Sequence, residues 1–439
     1  MAVIAAVPEF GRALLRPLGA PVGRTETFIE VPFKVNGKPL RPDGLILVTR
    51  GSKSWTALVE TKVGNTQLQS EQMNLYLDLA RDLSVDAVLS ISNHLVTSSN
   101  EYPVEVDRRK LRKVALHHWS WIDVLTEAVV QREHRGVSDP DQAYILHELI
   151  RYLSDARSGA VALDSMGPAW TKVRDGARNH TLRRGDEHVT AVAGRWDELV
   201  RYIGLGLTKD LGRDVKQLLS KAERSPTARL NGLQESLASS GSLYAELQIP
   251  DAVGPLRIVA DLRARQITIS TRVAAPRTGR SKGRVSWLLR QLAEAPETLR
   301  IESRIARSRS SLAATLQTAR ESPESLYPDG QKEIREFELS LTRNLGLKRD
   351  ASKGSFIESV VSATKDFYGD VLQHLRAWKA APPKLKRLEE RPEEEIISPR
   401  APDEIRTAIG KAEGQNEDDA LEEFSRQPDE AQAPDDPSG

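Results

Sequence analysis

Residues 41–76 constrain the fold more than any other stretch of the sequence. Apolar strand patterns occupy residues 45–49 and 55–62, and turn-forming residues separate them at 50–54. Residues 67–83 then carry apolar side chains at helical spacing. Two neighbouring strands followed by an amphipathic helix predict a sheet with a helix packed against it.

The flanking sequence extends this pattern. The dipeptide Asn36-Gly37 predicts a hairpin turn, and Ser120 with Asp123 predicts a helix capping box. A helix that crosses over between strands predicts a mixed sheet, so we expect an α/β domain with helices on the sheet faces. The predicted elements, in chain order, are a helix at 8–18, a strand at 27–35, the strands and helix already described, strands at 87–92 and 113–119, and helices at 120–133 and from 140 onwards.

The second half of the chain predicts a further α+β domain. Its elements are a mainly helical segment at 169–240, a three-stranded antiparallel meander at 242–273, helices at 285–293, 310–319 and 356–378, and strands at 299–305 and around 337–341. We therefore expect four regions, which are a first domain at 1–157, a helical linker region at 158–240, an α+β domain at 241–381 and a disordered acidic tail at 382–439.

Composition restricts the chemistry and the location. The chain has no cysteine, which excludes disulfides, thiolate zinc sites and cysteine nucleophiles. It has no run of about 20 apolar residues of the kind that spans a membrane, and its first residues do not have the pattern of a signal peptide. We therefore expect a cytoplasmic protein without a membrane partner.

Charge is distributed unevenly along the chain. Residues 389–439 contain 17 acidic and 5 basic residues, whereas the whole chain has a net charge of +1. The remaining residues are therefore basic, which favours an anionic partner for the body, while the acidic tail or the α+β domain is a possible contact for a protein partner. The most basic run lies at 272–309 and contains a flexible loop. We expect phosphate contacts from that loop, or alternatively a solvated surface, and its candidate residues are Arg277, Arg280, Lys282 and Arg284.

Five polar residues within 41–76 have the types and spacing of a metal-dependent phosphodiesterase site. Glu60 and Lys62 are two apart on a strand and share one face, and Gln72 and Tyr76 are four apart on one helix face. Carboxylates from Asp43 and Glu60 on neighbouring strands suit Mg²⁺, and a lysine beside the metal can orient the attacking water. The structural alternatives are an ordinary ion pair at a strand end and a core tyrosine beside a solvated glutamine.

Pro42-Asp43 followed by Glu60-Thr61-Lys62 resembles the PD-(D/E)XK nuclease superfamily, and Gln72-Met-Asn-Leu-Tyr76 is similar to the Q-x-x-x-Y motif of its RecB-like branch. The resemblance covers about the first third of the chain. It implies a restriction-endonuclease-like fold, dependence on Mg²⁺ or Mn²⁺, and hydrolysis of DNA. By position, it implies that Asp43 and Glu60 are metal ligands, that Lys62 is the catalytic lysine, and that Gln72 and Tyr76 are accessory residues.

The resemblance leaves one ligand open. Many members use an additional acidic residue upstream, for which Glu9 and Glu30 are the candidates, and no histidine precedes Asp43. A second D-x-K triplet, Asp214-Val215-Lys216, falls in a predicted amphipathic helix without a paired Pro-Asp. We expect a deoxyribonuclease whose C-terminal domain recruits substrate or a partner. The alternatives are an inactive nuclease-like scaffold that binds nucleic acid or protein, and a structural adaptor built around the C-terminal domain.

Overall fold

Two main β-sheets organise the protein in the computed structural model, and both lie within residues 1–379, which form one compact unit. The structure describes residues 1–35, 38–64, 66–96, 102–160, 163–328, 330 and 332–379. No helix in these ranges is both long and apolar enough to cross a membrane. The predicted acidic tail and the turn residues Asn36-Gly37 lie outside the described residues, and the domain boundaries stay predictions.

The first sheet and its helices are built from the N-terminal part of the chain. Their bounds are α1 (Ala2–Ala6), α2 (Pro8–Leu15), β1 (Arg24–Ile29), β2 (Phe33–Val35), β3 (Lys38–Leu40), β4 (Gly44–Arg50), β5 (Lys53–Thr61), α3 (Ser70–Asp82), β6 (Ala87–Ser92), β7 (Ala115–Ser120), α4 (Trp121–Val129) and α5 (Pro140–Ser154).

The first sheet has five strands in the order β1-β4-β5-β6-β7. Strands β1, β4 and β5 pair antiparallel, whereas β5, β6 and β7 pair parallel, so the sheet is mixed as predicted. The strand predicted at 27–35 is wrong in one respect. It ends at Ile29, because Glu30 has a left-handed φ of 50° that breaks the extended backbone, and β2 then pairs with β3 in a separate hairpin.

Helices cover both faces of the first sheet. Val59 on one face belongs to a buried cluster that also contains Phe10 of α2 and residues of α1, α4 and α5. Leu58 on the other face belongs to a second cluster, which contains Leu77 of α3. Because side chains alternate along a strand, Glu60 lies on the same face as Leu58 and is directed to the side of α3.

The second sheet and its helices follow in the chain. Their bounds are α6 (Trp170–Arg178), α7 (Glu187–Leu211), β8 (Lys216–Gln217), α8 (Pro226–Ser240), β9 (Ser242–Gln248), β10 (Leu256–Asp261), β11 (Gln266–Ala274), α9 (Ser281–Leu289), β12 (Arg300–Ile305), β13 (Ser311–Thr315), α10 (Leu316–Glu321), β14 (Ile334–Asn344) and α11 (Phe356–Asp370).

The second sheet is antiparallel and has the order β13-β12-β14-β11-β10-β9-β8. The predicted meander at 242–273 is confirmed as β9, β10 and β11. Strand β14 lies between β11 and β12, and its Phe337 and Leu339 are fully buried. Trp170, Trp196 and Phe356 pack together in the large core beside this sheet, with the Trp170 and Phe356 ring centroids 4.3 Å apart.

Two helices are shorter in the structure than the sequence predicts. Residues 310–319 divide into strand β13 and helix α10, and the side chain of Thr315 caps that helix by accepting a hydrogen bond from the Thr318 N–H. The helix predicted at 356–378 ends at Asp370. Leu372 and Leu375 follow its end and remain buried in the same core, so the apolar pattern continues where the helix does not.

The second D-x-K triplet lies in an extended segment, so the predicted helix there is wrong. Helix α7 ends at Leu211, where Gly212 caps it with a left-handed φ of 64°, and Lys216 then begins the edge strand β8 opposite Gln248. The Lys216 ammonium and the Asp214 carboxylate form an ion pair at 2.9 Å, and both side chains are exposed.

Candidate active site

The candidate active site lies where β5 leaves the first sheet beside helix α3. Glu60 is opposite Ser90 in the parallel pairing of β5 with β6. The pairing with β6 extends to Lys62, whose N–H donates to the carbonyl oxygen of Ile91 at 2.8 Å. Glu60 and Lys62 therefore share the sheet face that packs against α3, where their spacing places them.

Glu60 is 1% exposed, and its carboxylate receives three hydrogen bonds. Lys62 Nζ and Gln72 Nε2 donate to its Oε1 at 2.5 and 2.9 Å, and the Tyr76 hydroxyl donates to its Oε2 at 2.8 Å. A buried carboxylate is costly unless it is paired and hydrogen-bonded. These three donors supply both requirements, so the site is a complete polar network inside an apolar cluster.

Asp43 joins the site from the neighbouring strand. It immediately precedes Gly44, the first residue of β4, which pairs with Val59 of β5. Its Oδ2 accepts hydrogen bonds from the Thr61 N–H at 2.7 Å and from the Thr61 hydroxyl at 2.8 Å. The Asp43 carboxylate is therefore fixed at the end of β5, while its Oδ1 accepts no hydrogen bond from the residues that the structure describes.

Helix α3 supplies the accessory residues of the site. Tyr76 is 1% exposed and its ring belongs to the apolar cluster with Leu77, while its hydroxyl reaches Glu60. Gln72 Nε2 lies 3.0 Å from that hydroxyl. Burial raises the pKa of Tyr76 well above its ordinary value, and the hydrogen bond to the negative Glu60 raises this pKa further. The structural and functional interpretations of Tyr76 are thus compatible, because the ring and the hydroxyl have different roles.

The two upstream acidic candidates differ in their surroundings. The Glu30 N–H donates to the Asp43 carbonyl oxygen at 3.2 Å, but its carboxylate is exposed and pairs with Arg41 at 2.9 Å. Glu9 lies in the first turn of α2, which packs on the opposite side of the first sheet from α3. The structure therefore brings neither carboxylate into the hydrogen-bond network around Glu60.

Of the four predicted phosphate-binding residues of the basic loop, three are exposed and one is buried. Arg277, Arg280 and Lys282 are exposed. Arg284 is 4% exposed, and its guanidinium donates to the carbonyl oxygen of Ile334 at 2.6 Å and pairs with Glu333 at 3.2 Å. The expectation that Arg284 contacts phosphate does not fit this burial, because its donors are used inside the protein.

Two further groups near the site were not anticipated from the sequence. The Trp121 indole N–H donates to the Lys62 carbonyl oxygen at 2.8 Å and so anchors the backbone of the lysine. The His118 ring lies on the α3 side of β7, where its Nδ1 is 2.8 Å from Ser90 Oγ and its Nε2 is 2.9 Å from the His94 carbonyl oxygen. Burial lowers the pKa of His118 to about 4, so this ring is neutral at pH 7. Alternation along β6 and β7 was the signal that could have placed Ser90 and His118 together.

An open cleft of about 560 Å³ begins two residues after Lys62, at the carboxyl ends of β5 and β6. The ends of parallel strands are a common location for ligand sites in α/β proteins. Its lining combines apolar groups with the polar side chains of Thr66, Gln67, Ser92, Asn93, His94 and Arg195. The cleft gives a solvent route to the strand end that carries the candidate site.

The donor set fits a hard divalent cation with few protein ligands. Within the described ranges, no group of three or more histidine or acidic residues is arranged to hold a metal. Mg²⁺, however, is often held by only one or two carboxylates together with water and substrate phosphate. Asp43 and Glu60 are the two carboxylates that could supply such ligands, and the Asp43 Oδ1, which accepts no hydrogen bond from the described residues, is the oxygen best suited to a metal contact.

Comparison of the chain with protein-family models, with curated proteins and with solved structures gives no significant match. The functional assignment therefore depends on the geometry and chemistry of the site.

Proposed function

We propose that this protein is a metal-dependent nuclease that hydrolyses phosphodiester bonds in DNA. The observation that carries the proposal is the buried Glu60 carboxylate, which accepts hydrogen bonds from Lys62, Gln72 and Tyr76, while the Asp43 carboxylate is bound to the next residue of the strand, Thr61. The strand order supports it as well, because two antiparallel strands followed by a helix and a parallel strand agree with the fold that the PD-(D/E)XK resemblance implies.

Each residue has a role in this proposal. Asp43 and Glu60 would hold Mg²⁺ or Mn²⁺, which when bound neutralises charge on the scissile phosphate. The Lys62 side chain is 19% exposed, so solvent reaches it, and its ammonium would orient the attacking water. Gln72 and Tyr76 are positioning residues, because their hydrogen bonds fix the Glu60 carboxylate.

The direct test is DNA cleavage by the purified full-length protein. Supercoiled plasmid and linear duplex DNA are incubated with Mg²⁺, with Mn²⁺ or with EDTA, and products are resolved on gels. We expect cleavage with either metal and none with EDTA. Intact DNA under all metal conditions would contradict the proposal.

Two substitutions connect the activity to the site. Lys62→Gln and Asp43→Asn are each expected to lower the cleavage rate by about 100-fold or more, because the first removes the group that would orient the attacking water and the second removes a carboxylate that would hold the metal. Lys216→Gln is the matched control, because Lys216 belongs to the exposed D-x-K triplet and makes the same kind of ion pair. Equal activity of Lys62→Gln and the wild type would show that cleavage does not come from this site.

A second candidate function is a nuclease-like scaffold that binds nucleic acid without cleaving it. The observation that favours it is that both Glu60 carboxylate oxygens already accept hydrogen bonds from the same chain. For this candidate, DNA binding persists with or without metal, no cleavage occurs, and Lys62→Gln leaves binding unchanged. The same gels and a binding titration therefore separate the two functions.

A further inference from the structure

One end of the second sheet collects basic residues from three parts of the chain. Strand β14 lies between β11 and β12 and is antiparallel to both. The last residue of β11, Ala274, is therefore opposite Glu336, and the last residue of β12, Ile305, is opposite Ile334. Consequently the segments that follow β11 and β12 leave the sheet on either side of the start of β14.

Hydrogen bonds fix both segments to the start of β14. On the β11 side, the Ser281 hydroxyl donates to the Lys332 carbonyl oxygen at 3.3 Å, and buried Arg284 donates to the Ile334 carbonyl oxygen. On the β12 side, the Ala306 N–H donates to the Glu333 carbonyl oxygen at 2.8 Å. The two segments are thus parts of one surface.

We name this surface the basic edge, and it consists of Arg277, Arg280, Lys282, Arg307, Arg309, Lys332 and Arg335. All of them are exposed. Only Arg335 pairs with an acidic side chain, that of Glu336, in the part of the chain that the structure describes. The nearby Glu333 carboxylate is paired with Arg284. Most of the positive charge on the basic edge is therefore uncompensated.

A cleft of about 510 Å³ lies within the basic edge, at the hairpin that joins β12 to β13. Guanidinium and hydroxyl groups are donors that bind phosphate oxygens, and guanidinium does so with two parallel hydrogen bonds. The lining also includes Glu302 and Arg304, and the Arg304 guanidinium is paired with Glu302 and Glu338. The other residues of the cleft that supply such donors are Arg307, Arg309, Arg335, Ser308, Ser310 and Ser311.

We propose that the basic edge binds the sugar–phosphate backbone of nucleic acid. The ends of β11 and β12 are two strand spacings apart, about 10 Å. Each DNA strand carries one phosphate per ~3.4 Å of helix axis, so the two segments are close enough to contact phosphates of the same strand. The surface is less suited to an acidic protein, because interface cores use apolar and aromatic side chains, and residues 277–284 and 305–311 expose no large apolar side chain.

Only the choice of DNA as the nucleic acid rests on the proposed function. Binding is therefore measured in the Asp43→Asn background with EDTA, where cleavage does not interfere. Fluorescence anisotropy follows a labelled DNA duplex during titration with full-length protein at several salt concentrations. The variants are Arg307→Ala/Arg309→Ala on the hairpin and Arg277→Ala/Arg280→Ala on the loop.

Each double variant is expected to weaken binding about tenfold or more. Each is also expected to reduce the slope of log affinity against log salt by about 1.8, because two phosphate contacts are lost. The matched control is Arg24→Ala/Arg151→Ala, which removes the same charge from two exposed arginines that pair with Glu26 and Glu148. This control is expected to bind as the parent does, and circular dichroism verifies that every variant is folded.

Three outcomes would overturn the inference. These are no DNA binding at low salt, an unchanged affinity and slope in the hairpin variant, and an equal loss in the control. If the parent protein cleaves DNA but the hairpin variant binds normally, only this inference fails. If no cleavage occurs but the hairpin and loop variants lose binding, the basic edge stands and the nuclease proposal fails.

Discussion

Replacing Tyr76 by phenylalanine tests the hydrogen bond that the Tyr76 hydroxyl of helix α3 donates to the Glu60 carboxylate. The Tyr76 hydroxyl donates to Glu60 Oε2 at 2.8 Å, and both residues are 1% exposed. Phenylalanine keeps the ring and its packing, so the substitution removes only the hydroxyl, with this bond and its longer contacts to Gln72 Nε2 at 3.0 Å and to the Arg41 carbonyl oxygen at 3.4 Å. Hydrogen bonds to charged groups contribute about 1.5–3 kcal/mol. We therefore expect the free energy of unfolding to fall by about 2 kcal/mol near neutral pH.

The size of this effect depends on pH, because burial and Glu60 raise the pKa of Tyr76 above its unfolded value of 10.0. The stabilisation is fully present below that value and declines above it, where the unfolded tyrosine ionises and the folded one does not. Above about pH 10, the wild type loses about 1.4 kcal/mol per pH unit through this group. Tyr76→Phe has no such loss. The free energy of unfolding of the wild type therefore exceeds that of Tyr76→Phe by only about 0.6 kcal/mol at about pH 11.

The measurement is urea unfolding followed by tryptophan fluorescence at about pH 8 and about pH 11. Tyr144→Phe is the matched control, because Tyr144 is 65% exposed and the substitution is chemically identical. It should change the free energy of unfolding by less than about 0.5 kcal/mol at either pH. A similarly small effect of Tyr76→Phe, or a difference that does not shrink at high pH, would refute the reasoning.

Two further substitutions test other parts of the structure. Asp197→Asn removes the carboxylate that pairs with the 4% exposed Arg229 side chain, so it should lower the free energy of unfolding by about 3–5 kcal/mol; an unchanged urea midpoint would contradict this. Ser120→Ala removes the side-chain acceptor of the Asp123 N–H at the start of α4 and should lower the free energy of unfolding by about 1 kcal/mol. Ser120→Thr keeps a hydroxyl acceptor, so its melting temperature should be closer to that of the wild type than the melting temperature of Ser120→Ala is.

The local features of the first sheet were predictable from the sequence. Alternating apolar residues and turn chemistry predicted strands at 45–49 and 55–62 and a helix at 67–83, and the structure has β4, β5 and α3 there. The capping box predicted from Ser120 and Asp123 is confirmed, with both reciprocal hydrogen bonds present. These features depend on residues close in sequence, which is why a single chain reveals them.

Features that depend on distant residues were less predictable. The sequence places Arg284 in a flexible basic loop. In the structure, its guanidinium donates a hydrogen bond to the carbonyl oxygen of Ile334, which lies 50 positions away in the sequence. Strand β14 has a central position in the second sheet because it pairs with both β11 and β12, which lie at different distances before it in the sequence. Similarly, Leu372 and Leu375 continue a helical pattern because they fill the same core as α11, although the helix has ended. Local spacing does not encode these long-range contacts.

The two acidic-x-Lys triplets illustrate why spacing alone is a weak indicator of a site. Both contain an acidic residue and a lysine two positions apart, and both pairs form an ion pair, at 2.5 Å for Lys62 with Glu60 and at 2.9 Å for Lys216 with Asp214. The difference lies in the surroundings. The Asp214 side chain is 67% exposed and that of Glu60 is 2% exposed. Exposed ion pairs contribute little, and water satisfies their charges. A buried carboxylate persists only where other groups compensate it, and here the compensation comes from Lys62 and from Gln72 and Tyr76 of helix α3, which have no such counterpart in the sequence pattern around Asp214.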